Sequence, residues 1–458
     1  MHHRSSEQSH PSLRSQRARE VGGSQGSPNP TLRRTVEEAV QTEAEGDVGS
    51  LNQAPRLSIP PLLIDNGGMQ KMNRRDFLSS SAALALAAHP LLASVSSQAH
   101  LMLLGTQTSA DPNASKGIYA YTFDSVTGEL SRTGLAAATD SPTFLVTAPD
   151  QRTIYAANEL NTFAGKPGGA VTSFSLDPTT GSLTQISQVA SLGGSTCHVG
   201  VDRTGAAVFA ANYTGGSAAS FHVTSGDHLS PAVTFLQYTG RGPDKDRQQS
   251  PHAHRVTVSP DNRYVLVNDL GLDKIHIYQL DPSTGQLTTT GTDWTAPAGS
   301  GPRALLFHPS GKFAYCICEM ASSVLVLAWD AQAGTLTTRQ EFPLPLQPHE
   351  GPSTGCDIVL DRHARYAYVA NRGDNFLATF AVSPDGSRLT YQRRSSCGGT
   401  VPRHIALDPT EHWLLVANQG SDTVAVFARD AQSGTLADTG KTFPVSKPQC
   451  LLFPHKAS

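Results

Sequence analysis

Short apolar runs alternate with tight-turn residues along the chain from about Leu101 onwards. One pattern joins an apolar strand, a turn and a second apolar strand that ends on a small or polar residue. It occurs six times: PTFLVTAPDQRTIYAANE (142–159), TCHVGVDRTGAAVFAANY (196–213), AHRVTVSPDNRYVLVNDL (253–270), PRALLFHPSGKFAYCICE (302–319), GCDIVLDRHARYAYVANR (355–372) and PRHIALDPTEHWLLVANQ (402–419). Runs of this length, bounded by turn residues, predict antiparallel hairpins.

A second pattern places a Gly-containing turn between two further apolar strands. It occurs seven times: FDSVTGEL (123–130), LDPTTGSL (176–183), VTSGDHL (223–229), LDPSTGQL (280–287), WDAQAGTL (329–336), VSPDGSRL (382–389) and RDAQSGTL (429–436). An acidic residue can bond the backbone that follows it, and Gly accepts the positive φ angle of a hairpin turn. The turns recur at roughly fifty residues, which is the length of a four-stranded propeller blade.

The two ends of this region complement each other. The segment PQCLLFPH (448–455) matches the first half of the six-fold pattern, and LMLLGTQT (101–108) matches its second half. A blade divided between the termini closes a ring and leaves no sheet edge exposed. The chain is therefore predicted to be all-β, with residues 100–458 forming a seven-bladed β-propeller that has one blade shared between its N- and C-terminal strands.

Composition agrees with many short strands and turns. The chain contains 40 Gly and 30 Pro, while charged residues make up 16% and the formal net charge is -3. A dedicated nucleic-acid binder needs a concentrated excess of Lys and Arg to meet the phosphates. Since this chain has none, a small molecule is the expected partner, and nucleic acid is not.

The N-terminal part has a different character. Residues 1–71 are rich in Ser, Gln, Glu, Arg, Gly and Pro, so disorder is predicted. Residues 72–99, MNRRDFLSSSAALALAAHPLLASVSSQA, resemble a twin-arginine export signal, which predicts a periplasmic or secreted protein. The apolar run is too short and interrupted for a stable membrane span. A surface helix is the alternative, and a non-functional signal would leave the protein in the cytoplasm.

Export signals begin near the N-terminus, which bears on where translation starts. A start at Met69 or Met72 would place the twin arginine Arg74 and Arg75 close to the first residue. Under that interpretation residues 1–68 are not translated.

The ends of the predicted hairpin strands place charged residues on one face of the ring. The residues that enter the first strand of each hairpin are Thr143, Cys197, His254, Arg303, Cys356, Arg403 and Gln449, and those that leave the second are Glu159, Tyr213, Leu270, Glu319, Arg372, Gln419 and Gln107. Because the innermost strands of a propeller converge on its axis, we expect His254, Arg303, Glu319, Arg372 and Arg403 to meet over the central channel. Arginines brought close together repel one another unless an anion compensates their charge, so an anionic ligand is expected here. The alternative for Arg303 and Glu319 is a simple ion pair.

His252 and His254 lie two residues apart on one strand and could chelate a metal. The nearby carboxylates are too few for a typical metal site, so no metal and no cofactor is predicted. Strand alternation also predicts that Arg255 points away from His254.

The segments SPHAHRVTVSPD, GPRALLFHPSGKFAYCICE, GCDIVLDRHARYAYVANRG and VPRHIALDPTEHWLLVANQGSDTVAVF resemble the bacterial propeller-type 6-phosphogluconolactonase family, which includes the fungal carboxymuconate-lactonizing enzymes. The resemblance covers about 350 residues. It implies an active site of His254 in SPHAH, Arg303 in GPR, Glu319 ending YCICE and Arg372 in ANRG; Arg403 is added from the ring register alone. The export signal departs from the family pattern, because 6-phosphogluconolactone is a cytoplasmic metabolite.

The expected activity is hydrolysis of a sugar-type or related lactone. His254 or Glu319 would act as general base and Arg303 would stabilise the oxyanion. Arg372 and Arg403 would bind a carboxylate or phosphate, with His252 as a further substrate-binding candidate. Two alternatives stay open: a carboxymuconate-type lactonizing cyclase or isomerase, and a non-catalytic secreted propeller that binds a partner.

Overall fold

The computed structural model describes residues 98–344 and 351–454. The predicted disordered segment (1–71) and the twin-arginine-type segment as far as residue 97 lie outside the described residues. The described part contains seven antiparallel sheets of at least four strands each, and one two-stranded hairpin. Within these ranges no helix has the length and apolar character that a membrane crossing demands.

The strands follow the chain blade by blade. The first three are β1 (Ala99–Thr106), β2 (Gly117–Asp124) and β3 (Glu129–Ala138). Blade 2 contains β4 (Pro142–Thr147), β5 (Thr153–Asn158), the small hairpin β6 (Thr162–Phe163) and β7 (Lys166–Pro167), then β8 (Ala170–Leu176) and β9 (Leu183–Ala190). Blade 3 contains β10 (Thr196–Val201), β11 (Ala207–Asn212), β12 (Ser217–Thr224) and, after a 3-10 turn at Ser225–Asp227, β13 (His228–Gln237). Blade 4 contains β14 (Ala253–Val258), β15 (Tyr264–Asp269), β16 (Lys274–Asp281), β17 (Gln286–Thr289) and the short β18 (Trp294–Thr295), which pairs with β16.

The remaining blades repeat the same order. Blade 5 contains β19 (Pro302–Phe307), β20 (Phe313–Cys318), β21 (Ser323–Asp330) and β22 (Thr335–Pro343). Blade 6 contains β23 (Thr354–Leu360), β24 (Tyr366–Arg372), β25 (Phe376–Val382) and β26 (Leu389–Ser396). Blade 7 contains β27 (Pro402–Leu407), β28 (Trp413–Asn418), β29 (Thr423–Arg429) and β30 (Leu436–Pro444), and the last strand is β31 (Pro448–Leu452).

The last strand completes the blade that the first three begin. β31 pairs antiparallel with β1, with Leu103 opposite Leu452 and Leu104 opposite Leu451, so the sheet order is β3-β2-β1-β31. The prediction of a seven-bladed propeller is confirmed, and the shared blade is formed by the strands that the sequence pairs. Because β1 and β31 pair with each other, the first and last strands of the propeller both have a hydrogen-bonded neighbour.

Burial explains why the inner strands read as continuous apolar runs. Every residue of β5, β11 and β15 is buried, because each blade packs against a neighbour on both faces. Ile317 and Val326 of blade 5 share one apolar cluster with Val369 and Phe380 of blade 6. The outermost strand β13 instead alternates between exposed and partly buried positions over most of its length.

The recurring glycines lie in the outer hairpin turns, as the repeat predicts. Gly128, Gly181, Gly226, Gly285, Gly334, Gly386 and Gly434 all have φ between 64° and 81°. This left-handed region suits glycine, which has no Cβ to clash with the backbone. The turn chemistry inferred from the repeat is therefore confirmed.

Each blade carries a β-bulge at the entrance of its innermost strand. The pairing with the second strand skips one residue in every blade, and the skipped residues are Thr143, Cys197, His254, Arg303, Cys356, Arg403 and Gln449. These are the entrance residues that the sequence register selects. A bulge leaves its extra residue out of the ladder and redirects its side chain.

Candidate active site

Six of the seven bulged residues line one small cavity on the central channel. They are Thr143, Cys197, His254, Arg303, Arg403 and Gln449. Most of the residues that directly follow a bulge complete the lining: Phe144, His198, Arg255, Ala304, Asp357 and His404. The volume of about 20 Å3 is enough for one water molecule. His198 Nε2 and Gln449 Nε2 are buried there without a hydrogen-bond partner in the described part of the chain, so the lining suits a polar occupant.

Glu319 lies at the centre of a cluster of arginines. Its Oε2 is 2.7 Å from Arg372 Nη2 and 3.0 Å from Arg303 Nε, although the angle at Arg303 is not that of a hydrogen bond. Its Oε1 is 2.6 Å from Arg247 Nη2. Burial alone would raise the pKa of Glu319, but Arg372 and Arg303 outweigh burial and hold the pKa at about 2. The carboxylate is therefore ionised and is a weak proton acceptor.

Gly301 connects Arg303 to Glu319. Its carbonyl accepts the backbone N–H of Glu319 at 2.7 Å, and its own N–H donates to Asp273 Oδ1 at 2.7 Å. Gly301 has φ of +63°, and a Cβ here would lie 2.9 Å from Met320 Cγ. Both constraints require glycine, which accounts for the Gly of the G-P-R motif in physical terms.

His254 is buried and its imidazole makes no hydrogen bond within the described ranges, while its ring lies edge-on to Tyr213 at 5.6 Å. Burial lowers the pKa of His254 well below its usual value, and Arg303 and Arg403 lower it further. The ring is therefore neutral at neutral pH and keeps a lone pair for a proton.

Arg403 of blade 7 lies near a second carboxylate, that of Glu159, which directly follows β5 of blade 2. Arg403 Nη2 lies 4.0 Å from Glu159 Oε2, which accepts a hydrogen bond of 2.7 Å from Thr143 Oγ1. Together with Arg247, Arg303 and Arg372 this makes four guanidinium groups for two carboxylates. The cluster has an excess of positive charge, which favours an anionic ligand.

A second polar layer lies next to the bulged residues. Asp357 is buried, with Oδ1 3.2 Å from Arg255 Nη1 and Oδ2 3.8 Å from His404 Nε2. The prediction that Arg255 points away from His254 is wrong, since both line the same cavity. Alternation fails because the bulge at His254 adds one residue to the strand.

The layer also borders a larger cavity. That cavity has a volume of about 690 Å3 and is walled mainly by the apolar inner strands. It shares Phe144, His198, Arg255 and His404 with the small cavity. These four side chains therefore lie between the arginine cluster and the apolar part of the channel.

His252 lies beside the cluster and outside the lining of the small cavity. Its ring stacks on Tyr213 with centroids 4.5 Å apart, and its Nδ1 is 3.0 Å from the Tyr213 carbonyl oxygen. Its backbone N–H donates to Asp269 Oδ1 at 2.8 Å. Substrate binding by His252 stays a prediction. Within the described ranges no group of three or more His, Cys, Asp or Glu residues is arranged to hold a metal ion.

Arg247 is the main site residue that sequence reasoning misses. It comes from the connection of residues 238–252 between blades 3 and 4, outside the repeat, and its Nη2 also donates to Tyr213 Oη at 3.2 Å. The only sequence signal is the length of this connection, the longest between described blades. His198, Asp357 and His404 are also missed, because each follows a bulge that the apolar pattern does not reveal.

The propeller region of this chain matches a known class of protein. Residues 101–453 match the family described as "Lactonase, 7-bladed beta-propeller". The chain belongs to this lactonase family, and the resemblance inferred from its motifs is confirmed.

Individual relatives agree with this assignment. A 6-phosphogluconolactonase of Bacillus subtilis (strain 168) is 33% identical over 353 residues, covering 77% of this chain and 98% of the relative. A 6-phosphogluconolactonase of Formosa agariphila is 27% identical over 339 residues, covering 73% and 94%. The solved structure of a periplasmic gluconolactonase of Pseudomonas aeruginosa has a TM-score of 0.72 at 35% identity, covering 78% of this chain and 99% of that one. The propeller therefore accounts for nearly the whole of each relative.

Proposed function

We propose that this chain hydrolyses a sugar-type lactone at the cluster formed by His254, Arg303, Glu319 and Arg372. The main support is geometric: Glu319 holds Arg303 and Arg372 on one carboxylate oxygen, and these arginines act electrostatically on the neutral His254, whose imidazole makes no hydrogen bond within the described ranges. A lactonase needs a base and a cation that stabilises the oxyanion, and this cluster contains both. The names of the relatives support the same substrate class.

In the proposed mechanism His254 accepts a proton from the attacking water as the water adds to the lactone carbonyl carbon. Arg303 stabilises the resulting oxyanion; it is held by Glu319 and by the Cys356 carbonyl oxygen, and its Nη2 makes no hydrogen bond within the described ranges. The ring C–O bond then breaks, and protonated His254 returns the proton to the leaving alkoxide. The product is a hydroxy acid, and no step requires a metal or cofactor.

Glu319 and the remaining arginines have supporting roles in this proposal. With a pKa of about 2, Glu319 orients arginines rather than accepting the proton. Arg372 and Arg403 bind an anionic group of the substrate through paired N–H donors. Of the two bases that the sequence leaves open, the electrostatics of the cluster favour His254.

The activity is tested with purified propeller in EDTA, using δ-gluconolactone, its 6-phosphate and carboxymuconate as substrates. We expect acid release from at least one sugar lactone and no loss of carboxymuconate absorbance. Arg303→Ala should lower kcat about 10²–10³-fold, as loss of an oxyanion donor does. The exposed Arg394→Ala, outside the cluster, is the matched control.

Other outcomes of this panel would replace the proposal. Loss of carboxymuconate absorbance without lactone hydrolysis would indicate a lactonizing cyclase or isomerase. An absence of turnover on all three compounds would indicate a non-catalytic binding protein.

The segment 72–99 is proposed to export the folded enzyme to the periplasm. A periplasmic relative exists, and the segment carries Arg74 and Arg75 before its apolar run. Mass spectrometry of fractionated cells should find a mature N-terminus near Ala99 or His100 in the periplasmic fraction. Changing both arginines to lysine should retain the protein in the cytoplasm. An unprocessed N-terminus confined to the cytoplasm would contradict export.

A further inference from the structure

We infer that Arg247 is a specificity-determining residue that binds the anionic substituent of the substrate on the solvent side of Glu319. This inference rests on the proposed lactonase function and adds a residue to its site. Arg247 is the one arginine of the cluster that comes from a connection between blades rather than from a strand or strand end.

The contacts of Arg247 leave it able to bind a ligand. Its two described side-chain hydrogen bonds, to Glu319 Oε1 and to Tyr213 Oη, are both made by Nη2. Its Nε and Nη1 make none within the described ranges. A guanidinium carries five N–H donors in a planar fork, so several remain for a phosphate or carboxylate.

Exposure separates Arg247 from the other arginines around Glu319. The side chain of Arg247 is 43% exposed, compared with 6% for Arg303 and 17% for Arg372. Arg303 and Arg372 both approach the other oxygen of the carboxylate. If Arg247 turned towards a ligand, Glu319 would keep two cations and its charge would stay compensated. Arg247 can therefore exchange partners at lower cost than either neighbour.

The connection holds Arg247 in a defined place. The neighbouring Gln248 is fully buried and donates from Nε2 to the Leu270 carbonyl and to Asp273 Oδ1, both at 2.8 Å. Asp244 Oδ1 accepts the backbone N–H of Arg247 at 2.8 Å. These hydrogen bonds anchor the backbone of the connection around Arg247, which lies next to Glu319.

The test compares Arg247→Gln and Arg247→Lys with the wild type. The measured quantity is the ratio of kcat/KM for δ-gluconolactone 6-phosphate to that for δ-gluconolactone. We expect this ratio to fall about 10–100-fold in Arg247→Gln, which corresponds to the loss of a charge-assisted contact. Arg247→Lys keeps the charge without the fork and should give an intermediate ratio. Lys245→Gln, on the same connection, should leave the ratio unchanged.

A binding measurement keeps this inference separate from the proposed function. Calorimetry with 6-phosphogluconate and gluconate reports phosphate recognition without turnover. Tighter binding of 6-phosphogluconate to the wild type that is lost in Arg247→Gln supports the inference, even if neither lactone is hydrolysed. Equal binding of both acids to the wild type, or a preference that Arg247→Gln retains at an unchanged unfolding temperature, overturns it. Equal loss of both activities in Arg247→Gln would assign Arg247 to holding Glu319 alone.

Discussion

His254→Gln is expected to lower kcat for lactone hydrolysis by about 10²–10⁴-fold, the usual effect of losing a general base. Glutamine keeps much of the volume and polarity of the imidazole, and the side chain of His254 makes no hydrogen bond within the described ranges. The fold should therefore survive the change. Steady-state kinetics on the sugar lactone hydrolysed by the wild type measure the effect, and KM should change by less than about threefold because the arginines that bind the anion are intact.

The pH profile of the wild type gives a second readout of His254. Its pKa lies well below 6.5 because of burial and of Arg303 and Arg403. The base is then unprotonated throughout neutral pH, so kcat/KM should stay constant between about pH 8 and 6.5 and fall only at lower pH. His363→Gln, at an exposed turn position, is the control. If His254→Gln kept more than about a tenth of the wild-type kcat, another group would be the base.

Glu319→Gln is expected to destabilise the propeller by about 3 kcal/mol at pH 7. The change leaves Arg303 and Arg372 close together without the carboxylate that compensates them, and unpairing a buried charge network costs about this much. Urea unfolding followed by circular dichroism measures the difference. The matched control is the surface pair of Glu129 with Lys441, in which the Glu129 side chain is 53% exposed. Glu129→Gln should lower the free energy of unfolding by less than about 1 kcal/mol.

The effect of Glu319 on stability should depend on pH with a defined sign. The pKa of Glu319 falls from an ordinary value of 4.5 to about 2 on folding. The carboxylate therefore stabilises the folded state fully above about pH 4.5, and this contribution is lost as the pH falls towards 2. The difference between wild type and Glu319→Gln should shrink across that window. A difference independent of pH, or absent at pH 7, would show that Glu319 does not hold the arginines through its charge.

The seven-bladed ring and the residues at its strand ends could be predicted from the sequence, because both follow from a pattern of apolar and turn residues that repeats at a nearly constant spacing. The number of turn glycines gives the number of blades. The N-terminal and C-terminal segments that contain Leu103 and Leu452 each match half of the repeat, which identifies the shared sheet. Aligning the repeats then selects His254, Arg303 and Glu319 by position alone. The burial of whole strands between neighbouring blades can also be predicted from the sequence, because such strands consist of unbroken apolar runs.

What the sequence could not predict depends on features outside the repeat. The bulge at His254 does not change the apolar pattern, so alternation assigns Arg255 to the wrong side. Arg247 lies on an irregular connection whose conformation is determined by contacts of the buried Gln248. The pairing of Asp357 with Arg255 and His404 brings together three blades, and such a contact has no counterpart in local spacing.

The seven bulges have a consequence for how the protein tolerates change. A residue that the pairing register skips takes no part in aligning its two strands, so its side chain can be exchanged without shifting a cross-strand pair. The bulged positions at the channel mouth can thus vary without a change in the pairing of the strands that carry them. Saturation libraries at Thr143 and Gln449, which both line the small cavity, offer a direct route to altered substrate preference, with the scaffold left as it is.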